Sequence, residues 1–290
     1  MNTALFGLSN DEAAHLNDTF REALALFING SVIDAGVKLQ ALVDSLSSIP
    51  ESDESVSGLR ERLNDALQRM RPSFLLSKTS YMKGCQCRKL LYLYKHSPSL
   101  RDPISAETRA KFAGGHSFED VFRDAYYPNG KSVESILQGY IQFYPFLTEL
   151  LLHQGVDTLF EPAFVHNKTL VLVDVLNKQP DGTWELIEIK NSKFLKEVFI
   201  HDAALQYHVV SNRLPNVSKV QIVLNQNNQP QYYDVTAEVL CRQQMIETRI
   251  GHFQEILSED HVPDIETGYQ CYKPYKCDFF GFCHGVKSSY

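Results

Sequence analysis

The sequence predicts an α/β protein: an αβββαβ core with a mixed central sheet flanked by helices, preceded by a helical appendage and followed by a cysteine-rich tail. Three observations predict it. Segments of helical and of strand periodicity alternate in that order through the middle of the chain. Two apolar runs, LVLVDVL (170–176) and WELIEIK (184–190), flank the turn sequence Gln179-Pro180-Asp181-Gly182, which is the pattern of a β-hairpin. Three of the six cysteines fall within the last twenty residues.

The elements follow in order. Apolar residues recur at helical spacing over 10–28 and 31–47. Pro50, Ser52, Asp53, Ser55 and Ser57 mark a polar linker, and a third helix covers about 57–70. Pro72 and Ser73 open the main domain, so the expected division is 1–70 and 71–290. Residues 105–126 and 132–153 read as helices separated by Pro128-Asn129-Gly130. Strands are expected at 157–166, 169–177 and 183–190, a helix at 194–212 and a strand at 217–225. A long helix, 236–258, leads to the tail.

Charged residues interrupt the two apolar runs at Asp174, Glu188 and Lys190. Strand side chains alternate faces, so Glu188 and Lys190 share one. Folding the hairpin about its turn brings Asp174 opposite Glu188, within one residue of register. Two carboxylates and an ammonium then converge among apolar neighbours, where burial is costly unless they pair or bind a metal. Paired carboxylates suit a hard divalent cation, and the adjacent lysine can meet a phosphate or an attacking water.

The tail, CYKPYKCDFFGFC, places Cys271, Cys277 and Cys283 with five residues between successive cysteines. Structural zinc sites use tighter pairs. Wider spacing with a fourth cysteine far upstream suits an iron–sulfur cluster better. The upstream candidates are Cys85 and Cys87 in SKTSYMKGCQCRKLLYL; Cys241 lies inside the predicted long helix, where a buried thiol is expected. Nothing marks the chain as secreted, so a disulfide framework is not expected.

The net charge is −7, unevenly placed: residues 1–70 hold eleven acids and five bases. Residues 71–101 contain no acid, and carry Arg71, Lys78, Lys83, Arg88, Lys89, Lys95 and Arg101 interleaved with Phe74, Tyr81, Tyr92 and Tyr94. Such a stretch can neutralise backbone phosphates, while aromatics can stack on unpaired bases. No apolar run is long enough to span a bilayer and no signal peptide is evident, so a cytoplasmic protein without membrane partners is expected.

An Asp on one strand, Glu-x-Lys on the next and cysteines on both sides resemble the PD-(D/E)XK nuclease superfamily. The closer likeness, over about residues 72–285, is to its iron–sulfur RecB-like branch, which includes the CRISPR-associated RecB-like exonucleases and the AddB nuclease domain. The resemblance implies a metal-dependent exonuclease acting on DNA, with Mg²⁺ or Mn²⁺ on Asp174, Glu188 and His116. It implies Lys190 and Gln206 as further catalytic residues and Tyr207 as a substrate contact beside Lys83, Arg88, Lys89 and Lys95. It places an acid, Glu161, on the first strand. It also implies a 4Fe-4S cluster on Cys87, Cys271, Cys277 and Cys283, with CRKLLYL as the helix after the first ligand. Separately, the acidity of residues 1–70 makes them poor DNA binders, and their helical pattern with a polar linker suggests an appended module serving a protein partner or self-association. The alternatives are a non-catalytic nucleic-acid-binding adaptor of the same fold and a zinc-stabilised interaction protein.

Overall fold

A computed structural model of the chain describes residues 72–103, 118–137, 141–227 and 229–285, together with Glu22, Ala25, Leu26, Asp34 and Lys38. The helices expected at 10–28, 31–47 and 57–70 otherwise lie outside the described residues, as does His116. The chain divides into two compact units, one of Met1–Ser73 with Lys131–Val156 and one of Phe74–Gly130 with Asp157–Tyr290. In this division Lys131–Val156 goes with Met1–Ser73, where the sequence reading divided the chain into 1–70 and 71–290.

The second unit holds the candidate site. It begins with β1 (Leu76–Ser77), α1 (Lys78–Gln86) and α2 (Arg88–His96). Ser77 caps α1 in a reciprocal box with Ser80. Helical residues 118–126 form α3. In the first unit, the single helix expected at 132–153 is two, α4 (Val133–Leu137) and α5 (Tyr144–His153). Pro145 lies in the first turn of α5, where its missing N–H costs nothing.

The strand region of the second unit departs from expectation in an informative way. The two strands expected at 157–166 and 169–177 are four: β2 (Thr158–Phe160), β3 (Ala163–His166), β4 (Thr169–Leu172) and β5 (Val175–Lys178). β2 pairs with β5 and β3 with β4, both antiparallel, so one long hairpin bends midway and passes from one sheet into another. Its tip is the two-residue turn Asn167-Lys168, both at positive φ, the geometry that matches strand twist. At the bend Pro162 has no N–H to give to a ladder, and Glu161 takes a φ of 50°. Val173 N–H donates to Pro162 O at 3.0 Å, so both chains turn the corner together.

β6 (Trp184–Lys190) pairs antiparallel with β5 and parallel with β7 (Val217–Gln226). An unexpected edge strand, β8 (Gln229–Asp234), follows β7. Within this unit the larger sheet runs β2-β5-β6-β7-β8 and the smaller β1-β4-β3, with β1 parallel to β4. Between β6 and β7 lies α6 (Glu197–Ser211), which packs on β7, on β3 and β4, and on α1. Contact on several sides explains why most of its residues are buried and why it lacks a clean polar stripe. The opposite face of the larger sheet presents Val175, Ile187, Ile189 and Val223 to Phe122 of α3 and to Phe160. The expected helix 236–258 is broken into α7 (Thr236–Leu240) and α8 (Gln243–Ser258). Cys241 sits in that break with its thiol exposed, so the expectation of a buried thiol is corrected. Arg242 holds the break by donating to Glu238 O at 2.5 Å and to Glu197 Oε1 at 2.7 Å.

Among the described residues no helix is long and apolar enough to cross a membrane.

Candidate active site

The β5–β6 register pairs Val175 with Ile187, so the next step along the hairpin sets Asp174 against Glu188. Asp174 itself lies at the bend, outside the strand expected to contain it. Its Oδ2 accepts the Ile189 N–H at 2.6 Å, which fixes the carboxylate against β6. Ile187 and Ile189 enter the α3-facing core, and alternation turns Glu188 and Lys190 toward α6. There Gln206 Nε2 donates to Glu188 Oε2 at 2.5 Å, and Lys190 Nζ donates to Glu188 Oε1 and to Asp202 Oδ2, the latter at 2.9 Å. Lys78 Nζ, at the start of α1, donates to both oxygens of Glu188 at 3.2 and 3.5 Å. Glu185, on the same strand, has a purely structural pairing with Lys219 (2.9 Å) and Gln179 (2.8 Å).

Charge follows this geometry. Burial, with Glu188 as the next cause, pushes the Asp174 carboxyl up to about 7. Burial would raise Glu188 too, but Lys190 and Lys78 beside it hold it below the usual carboxylate range. Lys190 is held well above its ordinary value because Asp202 and Glu188 outweigh its burial.

A second acidic group adjoins the first. One carboxylate oxygen each from Glu119, Glu161 and Asp174 gather within 4.8 Å of one another. Arg123 ties the group together: Nη2 donates to Glu161 Oε1 at 2.8 Å and to Asp174 O at 2.9 Å, and pairs with Glu119. Burial, then Asp174, pushes Glu119 up to about 9 despite Arg123. The three gathered carboxylates, Glu119, Glu161 and Asp174, are hard oxygen donors of the kind that suits Mg²⁺ or Mn²⁺, while the oxygens of Glu188 are engaged by Lys190, Lys78 and Gln206. Glu161 was expected on the first strand; it lies at the bend after it, where its positive φ accompanies the change of sheet.

The other expected residues divide. Tyr207 is half-buried, about 100° round α6 from Gln206. Lys83 pairs with Asp278 and lies 4.8 Å above the Tyr94 ring, so it ties α1 to the tail. Lys89 donates to Ile265 O at 3.4 Å. Arg88 stands 3.4 Å from His252, and both Arg88 and Lys95 are exposed. Tyr81 and Tyr92 are buried in the core, so they are not available for stacking. Sequence reading passed over Lys78, Glu119, Arg123 and Asp202 as site members. Nothing in the local sequence pattern singles them out.

The tail closes a second candidate site. Cys87, Cys271, Cys277 and Cys283 line a common pocket with Leu90 and Leu93 of α2. Cys271 and Cys277 are buried, and Phe279 N–H points at Cys277 Sγ, 3.4 Å away. Burial pushes the Cys277 thiol up to about 11, so the metal-free group stays protonated. Cys85 is exposed and lies 3.8 Å from Arg249, apart from this pocket.

No family model matches the chain. No curated protein matches it either. Among solved structures it is similar to the crystal structure of SSO0001, at 13% identity and a TM-score of 0.34, over 70% of this chain and 85% of that one.

Proposed function

We propose that the protein is a metal-dependent deoxyribonuclease with a PD-(D/E)XK-type core, acting on single strands or DNA ends, and that its four grouped cysteines hold a structural iron–sulfur cluster. The observation that carries the reading is buried Asp174 and Glu188 together with Lys190 on one hairpin, with Gln206 bound to Glu188. Asp174 and Glu188, with Glu161 or Glu119 beside them, would hold Mg²⁺ or Mn²⁺. Such an ion, when bound, offsets charge on the phosphodiester and lowers the pKa of a bound water. Lys190, fixed by Asp202, faces the charge that develops on the phosphoryl oxygens and needs no reorganisation to do so. Gln206 holds the Glu188 carboxylate in a single orientation.

The loop after Lys190 supports a single-stranded substrate. Phe194 is 75% exposed there, between Lys193 and Lys196, and a base plane with its phosphates matches that combination. The cysteine pocket joins the tail to α2, so a cluster there would act as a clasp on the domain.

Anaerobically purified chain is expected to contain about four iron and four sulfide, the content of a 4Fe-4S cluster. It is also expected to degrade labelled single-stranded DNA only when Mn²⁺ or Mg²⁺ is added. One equivalent of zinc without iron overturns the cluster; intact DNA in the presence of Mn²⁺ overturns the nuclease.

A further inference from the structure

Lys78 has the geometry of a site residue although it lies far from the hairpin in sequence. Its backbone is held where β1 pairs with β4 and where the Ser77–Ser80 box starts α1. From there Nζ reaches Glu188 at 3.2 and 3.5 Å and stands 3.9 Å from Asp202. Four charges alternate: Glu188 meets both lysines, and so does Asp202. These four sum to zero among themselves, with the Asp174 carboxyl beside them. A divalent ion on Glu188 breaks that balance, because two ammonium groups then face two further positive charges at short range.

The two lysines are not equivalent. Lys190 has a second, close partner in Asp202 at 2.9 Å and stays anchored when Glu188 is taken. Lys78 has only a longer second contact, 3.9 Å to Asp202, although the two lysine side chains are about equally exposed, 24% and 23%. Asp202 also keeps one oxygen, Oδ1, buried and without a hydrogen-bond partner. Lys78 can therefore leave Glu188 by a short swing and remain beside the site.

We infer that Lys78 is a positioning residue that occupies Glu188 in the metal-free site, yields it to a divalent cation, and then offers its ammonium to an anion bound alongside. Cation and phosphate anion then bind cooperatively, each removing a cost the other would meet. The inference rests on the reading of Glu188 as a metal ligand. Like charges within 4–6 Å shift ionic equilibria by at least ~10-fold, which sets the expected effect.

The test measures Mn²⁺ binding to the full chain by the EPR signal of free Mn²⁺, without nucleic acid and then with a phosphorothioate-linked oligothymidylate. Lys78→Met and Lys78→Gln are expected to bind Mn²⁺ alone ~10-fold more tightly than wild type, and Lys78→Arg to stay near wild type. The oligonucleotide should tighten Mn²⁺ binding to wild type several-fold and leave Lys78→Met almost unchanged. A residue that merely braces the fold would weaken the metal when lost. Melting curves identify which neutral variant is folded and used. Mn²⁺ binding to wild type with equal or weaker binding by the neutral variants overturns the inference alone. Failure of wild type to bind Mn²⁺ removes the metal site and the inference with it.

Discussion

Asp174 concentrates the proposed chemistry in one side chain. Its raised value means that the native, metal-free protein keeps a proton which the unfolded chain releases near the ordinary value of 3.8. The sign follows: metal-free stability from this group is full below about 4 and is lost as pH rises through about 7. Cation binding needs the ionised form, so it strengthens over the same range. Melting in EDTA and in Mn²⁺ across pH 5–8 is expected to diverge as pH rises. Asp174→Asn is expected to flatten the EDTA curve and abolish the Mn²⁺ gain; an unchanged gain would place the metal elsewhere. Asp174→Ala, Glu188→Ala and Lys190→Ala are each expected to lower cleavage by at least ~10²–10³ while the fold persists, as for loss of a charge-stabilising group. Their importance was legible because charges interrupted apolar runs. Lys78, Asp202, Glu119 and Arg123 were not, because their roles depend on contacts across the fold that no local pattern encodes. Lys78 meets Glu188 across 110 positions of sequence.

At the scale of elements, the order of helices and strands was readable and their breaks were not. Periodicity alone gives one strand through 157–166, whereas Glu161 and Pro162 turn it from one sheet to the other. The matching break at Val173 and Asp174 is what frees the Asp174 carboxylate to accept the Ile189 N–H. The break between α7 and α8, unlike the one at Pro162, has no proline or glycine to announce it. The tail is tied to α2 by packing of Leu90, Leu93, Cys271, Cys277 and Phe279, and to α1 by Lys83–Asp278. Replacing Cys87, Cys271, Cys277 or Cys283 by serine is expected to remove iron and lower the melting temperature. Cys85→Ser and Cys241→Ser should retain full iron, since one faces Arg249 and the other the α7–α8 break. Iron loss in Cys85→Ser with retention in Cys87→Ser would reverse the assignment.

The whole molecule is two units whose sequences interleave. Lys131–Val156 belongs with Met1–Ser73, and Tyr144, Phe146, Leu147, Leu150 and Leu151 of α5 are buried. Deleting residues 1–70 is therefore expected to yield an unstable, aggregating protein, judged by light scattering. A monomeric, fully active truncation would contradict this and favour a detachable appendage. With Lys83 and Lys89 engaged in the fold, Arg88 and Lys95 remain as exposed cations of the basic stretch. If both meet phosphates, log K against log salt for single-stranded DNA should slope by about −1.4 from them, and their joint change to Ala should remove that share. Metal-dependent cleavage by the hairpin carboxylates is the central claim, and one measurement tests it most directly. Wild type and Glu188→Ala, purified identically and shown to be equally folded, are incubated with end-labelled single-stranded DNA and Mn²⁺. Progressive shortening by wild type and none by Glu188→Ala is the expected result. Equal cleavage by the two proteins, or intact DNA with both, would contradict it.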